Sequence, residues 1–232
     1  MGWEGSVNAD YPGAIVVPAH PTNILRAVNR PKVLVLHTPE EPADNIEVTP
    51  YYFQRPNLGA STHYYADDDG DLYQMVPERS GAIANGVLGF PYPEGTDAGR
   101  SLNYQSLSIE IEGYAASIGQ TMPRGGPQWR TVVAWVANRA AKYRIPIRRS
   151  RIIGHYEVAN NRTDPGTLDI DAIVADAQED DMVSQAEFDA FVKQQKAINE
   201  FQNEILVGQK KAIDLLAAIA VDHEKRIKAL GG

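Results

Sequence analysis

Apolar and polar residues alternate with several different periods along this chain, and each period predicts an element. Val33-Leu34-Val35-Leu36, between Lys32 and His37, is a short continuous apolar run, the pattern of a strand buried on both faces. Pro39-Glu40-Glu41-Pro42 stops it, which puts His37 at the strand's C-terminal end. Thr49-Pro50 reads as a helix cap followed by proline at the first helical position, opening a short helix through Arg55. Ser61–Ala66 and Leu72–Val76 are two β-prone runs joined by Asp67-Asp68-Asp69-Gly70-Asp71, whose Asp-Gly pair reads as a hairpin turn. A calcium loop is excluded there: glycine at its sixth position would put Tyr65 where the first oxygen ligand belongs. Ser106–Gly113 alternates with period two, so that Ser108, Glu110 and Glu112 share one face and Leu107, Ile109 and Ile111 the other. From Gln128 to Tyr143 the residues Trp129, Val132, Val133, Val136, Ala140 and Tyr143 recur at helical spacing, and Pro146 ends that helix. Leu168–Ala177 predicts a last helix over the sheet.

These elements define an α/β fold, a mixed central β-sheet flanked by helices. Residues 1–31, rich in Pro, Gly and Asn, read as an extended arm packed on it, anchored by Trp3, Tyr11 and Ala14–Val17. Composition changes at Glu179-Asp180-Asp181. From the capping-box pattern Ser184-Gln185-Ala186-Glu187 to Leu230 the residues are good helix formers without proline. The expected division is a domain over 1–178 and a helical C-terminal appendage over 179–232. Phe191, Ile198, Ile205, Ala212 and Ile219 recur every seven residues, and this apolar stripe must be covered. Self-association into a homo-oligomer, a hairpin broken at Gly208, docking on the core and envelope binding are the ways to cover it.

Charge and composition narrow the function. The net charge of −8 divides into −5 over residues 1–178 and −3 over the rest, so neither part has the basic footprint of a nucleic-acid binder. The basic cluster from Arg139 to Arg151 reads as a solvated helix end. There is no cysteine, so any metal site must use histidine and carboxylate. No stretch approaches the roughly 18 consecutive apolar residues of a membrane span. The first residues lack the basic and apolar regions of a signal peptide. The expectation is a protein made in the cytoplasm that acts elsewhere only after release.

The chemistry centres on Gly154-His155 through Thr163-Asp164-Pro165-Gly166. Proline and glycine make a turn there, and the polar loop is long enough to bring His155 and Asp164 to one point. Imidazole and carboxylate suit zinc at about 2.0–2.2 Å, and a catalytic zinc takes three protein ligands plus an open position. His37, ending its strand, is the natural third ligand. Glu110 and Glu112 on an interior strand face also need a reason, because burying unpaired carboxylates is costly.

A histidine ending an apolar strand, followed by Gly-His and Thr-Asp-Pro-Gly, resembles the zinc-dependent N-acetylmuramoyl-L-alanine amidases, the superfamily that includes peptidoglycan recognition proteins and phage endolysins. The resemblance covers roughly residues 30–177. Ser61, His63, Tyr64 and Gly70 match a family strand and turn, with His63 as a packing residue and not a ligand. Ile109-Glu110-Ile111-Glu112-Gly113 resembles the strand whose first glutamate faces the zinc. The resemblance implies that His37, His155 and Asp164 bind zinc and that Glu110 is the acid–base. Arg162, two positions before Asp164, stands where relatives carry a lysine for the oxyanion. Thr62 occupies a position where some branches use a tyrosine, and it carries no assigned role. Many relatives have Trp-His-Ala-Gly in the loop after residue 80. Here Ile83-Ala84-Asn85-Gly86 stands in its place, so Asn85 is the substrate-binding candidate and the family histidine is absent.

The implied reaction is hydrolysis of the amide joining N-acetylmuramic acid to L-alanine in peptidoglycan, in the setting of phage lysis of the host wall. Two other classes compete. A non-catalytic peptidoglycan-binding protein would share the fold, and a glycosidase would use Glu110 and Glu112, which sit roughly 6.5–7 Å apart as i and i+2 on a strand.

Overall fold

The structure is a computed structural model that describes residues 9–41, 49–86 and 92–180, with Lys193, Gln194 and Lys196 beyond them. The chain divides into two units, residues 1–185 and 186–232, and the first is described here. The anchor expected at Trp3, the cap at Ser184 and the seven-residue pattern lie outside the described residues.

The strands are β1 (Ile15–Val16), β2 (Ile24–Val28), β3 (Val33–His37), β4 (Tyr64–Ala66), β5 (Leu72–Gln74), β6 (Ser80–Ala82), β7 (Ser106–Ile111) and β8 (Ile152–Gly154). Six of them form a mixed sheet in the order β1-β5-β4-β7-β3-β8, and β2 pairs with β6 in a small second sheet. Only the β4–β5 hairpin is antiparallel in the large sheet. Its turn is the Asp-rich segment: the Asp71 N–H donates to Asp67 Oδ1 at 2.6 Å, and Gly70 takes φ +92°. The helices are α1 (Thr49–Tyr52), α2 (Ile118–Thr121), α3 (Pro127–Tyr143) and α4 (Ile170–Asp180). Helix α3 ends at Arg144, whose positive φ of 56° turns its N–H back to the last carbonyls, two residues before Pro146.

Strand parity sorts the core. Leu34 and Leu36 of β3, Leu107, Ile109 and Ile111 of β7, and Ile152 of β8 pack against Trp129, Val132, Trp135 and Val136 of α3 and Ile173 and Ala177 of α4. Val33, Val35 and Ile153 point the other way, into a smaller cluster with Leu102 and Val158. This second face carries the polar residues of interest. Every residue of β3 is buried, as expected of a strand covered on both faces.

Several expectations are corrected. The N-terminal region is more than an arm, since it supplies β1 and β2. Strand β4 starts at Tyr64 and not Ser61, because Ser61 bonds elsewhere: its hydroxyl donates to the Asn23 carbonyl at 2.6 Å and its N–H to the Ile83 carbonyl at 3.1 Å. Helix α1 stops at Tyr52, short of Arg55. Arg139 is no solvated helix end. It is buried, pairs with Glu78 and lies over the Tyr11 ring, clamping the N-terminal segment.

His63 is a packing residue of a specific kind. Where β7 begins, β4 has not yet started, and the imidazole substitutes for the missing backbone. His63 Nδ1 accepts from the Ser108 N–H at 3.1 Å, and its Nε2–H donates to the Ser80 carbonyl at 3.0 Å. Burial lowers its pKa to about 4, so it stays neutral.

Candidate functional site

Register assembles the site. His37 is the Cα partner of Glu110 across β3 and β7, and Leu36 is the partner of Gly154 across β3 and β8. His155, one residue past β8, therefore stands beside His37. Three neighbouring parallel strands thus present Glu110, His37 and His155 in one row at their carboxyl ends, where α/β sheets gather ligands. The chain then turns through His155–Glu157 and folds back, with the Tyr156 N–H donating to the Asp164 carbonyl at 2.9 Å. Gly166 takes φ +54°, and a Cβ there would overlap the Ala115 carbonyl oxygen, so the turn that ends the loop needs glycine.

The fold-back brings the two imidazoles and one carboxylate together. His155 Nδ1 lies 3.0 Å, and His37 Nδ1 3.3 Å, from the same Asp164 Oδ2. The rings sit 4.4 Å apart at 59°, and one ligand atom from each of the three buried residues lies within 4.8 Å of the others. Burial opposes ionisation of Asp164, but the hydrogen bonds and charges of His155 and His37 outweigh it and hold its carboxyl below the usual range. Burial also lowers the His37 pKa against the pull of Asp164, so a neutral imidazole with a lone pair is favoured. Two nitrogens and an anionic oxygen converging in a buried site are a donor set that could hold a metal ion.

Glu110 flanks this group. Its Oε2 is buried and has no hydrogen-bond partner among the described residues. Burial, followed by the charges of Asp164 and Glu41, pushes its carboxyl up to about 8, with Arg162 pulling the other way. Glu112 differs in kind: it follows the end of β7, and its Oε2 accepts from the Asp68 N–H of the hairpin at 2.9 Å. Arg162 is exposed on the loop leading to Asp164. The Thr62 hydroxyl is buried without a partner among the described residues. Asn85 is corrected by the structure. It is fully buried, with its amide bonded to Asn103 and Ser106, and offers no surface to a substrate.

Two neighbours went unread in the sequence. In the sequence Glu41 reads only as part of a strand stop, yet its carboxylate accepts from the Tyr65 hydroxyl at 2.8 Å and acts on Glu110. Asn103 faces Asn85 across loops distant in sequence, and no local pattern signals that pairing.

Fold and site together define a class: a mixed-sheet α/β protein with a His-His-Asp group and a half-buried glutamate at the carboxyl edge of its parallel strands. Residues 27–167 match the sequence profile of N-acetylmuramoyl-L-alanine amidase (Amidase_2), and the chain belongs to that family. No curated protein matches it in sequence. Among solved structures, PlyL is 18% identical over 71% of this chain and 96% of its own, with a TM-score of 0.53. A selenomethionine derivative of AmpD is 23% identical over 72% and 97%, at 0.50. The catalytic domain of XlyA is 16% identical over 70% and 98%, also at 0.50. These likenesses establish a shared fold.

Proposed function

We propose that this protein is a zinc-dependent N-acetylmuramoyl-L-alanine amidase that cleaves the amide between N-acetylmuramic acid and the L-alanine of the stem peptide. The observation that carries this reading is the convergence of His37 Nδ1, His155 Nδ1 and Asp164 Oδ2 beside the partnerless Glu110 Oε2. Those three atoms would hold the ion. When bound, zinc supplies Lewis-acid polarisation of the scissile carbonyl and lowers the pKa of a water toward ~7. Glu110 Oε2 takes a proton from the attacking water and passes it to the leaving nitrogen. A carboxyl poised near 8 in the metal-free protein is suited to carry a proton at neutral pH. Arg162 offers positive charge to the developing oxyanion and, as a guanidinium, does not itself give up a proton.

The substrate partner is peptidoglycan, and the setting we propose is phage-driven lysis of the host wall. Among the described residues no helix is long and apolar enough to cross a membrane. The glycosidase reading is disfavoured because Glu112 is engaged with the hairpin and is not free beside Glu110. A purely binding role leaves the buried, unpartnered Glu110 Oε2 next to a metal-competent group without a purpose. Incubating the protein with purified sacculi separates the three. New amine ends, abolished by a chelator and restored by zinc, support the amidase; new reducing ends or no new ends refute it.

A further inference from the structure

Strand β8 ends the large sheet, paired with β3 alone among the described residues, and the His155–Asp164 loop starts where it stops. The Arg151 carbonyl faces β3, where it accepts from the Leu34 N–H at 2.9 Å. The alternation of a parallel strand therefore turns the Ile152 carbonyl and the Gly154 N–H to the free edge, where a further strand would bond both. Two side chains bond them instead. Arg149 Nη1 donates to the Ile152 carbonyl at 3.0 Å, and Glu157 Oε1 accepts from the Gly154 N–H at 2.7 Å. The two side chains are joined to each other, with Arg149 Nη2 at 2.7 Å from that same Glu157 Oε1. Arg149 Nη2 also donates to the Tyr156 hydroxyl at 3.1 Å. The Tyr156 ring and Pro165 close on Gly154: a Cβ there would come within 2.7 Å of Tyr156 Cε1 and 2.8 Å of Pro165 Cδ. Tyr156 in turn donates its N–H to the Asp164 carbonyl at 2.9 Å. The pair thus grips the residue before His155 and the two after it, and through Tyr156 it reaches Asp164. Neither side chain has a part in the chemistry proposed above.

We propose that Arg149 and Glu157 are positioning residues for the metal centre: as one unit they stand in for the strand that β8 lacks, and so hold His155 and Asp164 in place beside His37. This rests on the zinc reading of the site given above. Groups that orient metal ligands without touching the ion typically account for about 10–100-fold of metal affinity. The side chains of Arg149 and Glu157 are 33% and 30% exposed, and ion pairs so open to water contribute little to global stability. Breaking this pair should therefore loosen the loop while leaving the rest of the fold as it is.

The test uses the full chain, with chelator competition for zinc affinity, the absorption spectrum of the cobalt(II)-loaded protein for ligand arrangement, and urea unfolding of the metal-free protein for the fold. Glu157→Ala removes the acceptor, and Glu157→Gln keeps an oxygen for the Gly154 N–H. Glu157→Ala should bind zinc about 10–100-fold more weakly, with an altered cobalt spectrum and an unchanged urea midpoint, while Glu157→Gln stays within a few-fold of the parent. Arg149→Met should resemble Glu157→Ala, and the double variant should lose no more than the worse single one, since the two act as a unit. Should Glu157→Ala not fold, Arg149→Met makes the same comparison with the Gly154 bond left in place. Zinc affinity within about twofold of the parent in the alanine and methionine variants overturns the proposal and leaves the zinc reading standing. So does a glutamine variant as weak as the alanine one, or a loss of zinc that tracks a lowered urea midpoint, which would mark a general structural role. An unmodified chain that binds no zinc overturns the zinc reading and this inference with it.

Discussion

Replacing Glu110 by glutamine tests the cost of the site and its chemistry together. Burial and the charges of Asp164 and Glu41 push the Glu110 carboxyl from an ordinary value of 4.5 up to about 8 in the metal-free protein. Between those values the folded chain holds a proton that the unfolded chain has released. The stability this proton contributes is complete below pH 4.5 and is lost as the pH rises to about 8. At about 1.4 kcal/mol per pH unit the effect has a ceiling of ~5 kcal/mol. Relaxation and water around a partly buried group leave about 1–3 kcal/mol. Glutamine has the same shape and no such proton. The two proteins should therefore unfold at the same free energy near pH 4.5–5, with Glu110→Gln more stable by about 1–3 kcal/mol at pH 8.5. Urea unfolding of chelator-treated protein measures this, and taking the difference cancels the other titrating groups. The zinc-loaded variant should lose activity by about 10²–10⁴, the usual share of a positioned acid–base. Parallel pH curves for the two proteins, or a variant less stable at pH 8.5, would refute the argument that burial and neighbouring carboxylates load this site.

Other substitutions probe the remaining assignments. His155→Ala and Asp164→Ala should each lose bound zinc, measured by metal analysis after dialysis, along with activity; full occupancy after His37→Ala would sink the three-ligand assignment. Glu112→Gln should retain most activity, because its carboxylate is engaged with the Asp68 N–H; losses equal to those of Glu110→Gln would revive the paired-carboxylate reading. His63, lowered to about 4 by burial, should stay neutral in NMR titrations through pH 5. Its contribution to stability is present above its ordinary 6.5 and is lost as the pH falls toward 4, so a titration near 6.5 would contradict its placement. A chain ending at Asp180 should fold, bind zinc and cleave soluble muropeptides, since every proposed active residue precedes it; failure to fold would make the C-terminal segment part of the core.

The parts of this molecule that were legible from sequence are those whose pattern is local. An unbroken apolar run marked β3, strict alternation marked β7, and a helical period marked α3, each within a residue or two of its observed bounds. The Asp-Pro-Gly turn announced that His155 and Asp164 could meet, because proline and glycine restrict the backbone wherever they occur. What stayed hidden depends on partners distant in the chain. Strand β1 is only two residues long and exists because β5 lies beside it. Arg139 looked like one more surface cation because Glu78 and Tyr11, which bury it, come from other elements. Asn85 looks like a substrate-binding loop residue because nothing near it in sequence reveals Asn103 and Ser106.

The alignment of Glu110 with His37, and of Gly154 with Leu36, also limits how this chain can vary in length. Deleting one residue within Val33–Leu36 would turn His37 onto the α3 side of the sheet, among leucines and tryptophans, because strand side chains change face at every step. Deleting two would restore the face but draw the imidazole back along the strand by about 6.5–7 Å, beyond reach of Asp164. Neither error can be repaired by adjusting a side chain. Insertions and deletions compatible with activity are therefore confined to the connections, such as the segment between β6 and β7, where the chain can lengthen without moving an end of β3, β7 or β8. Within the strands the spacing of residues is itself part of the candidate site.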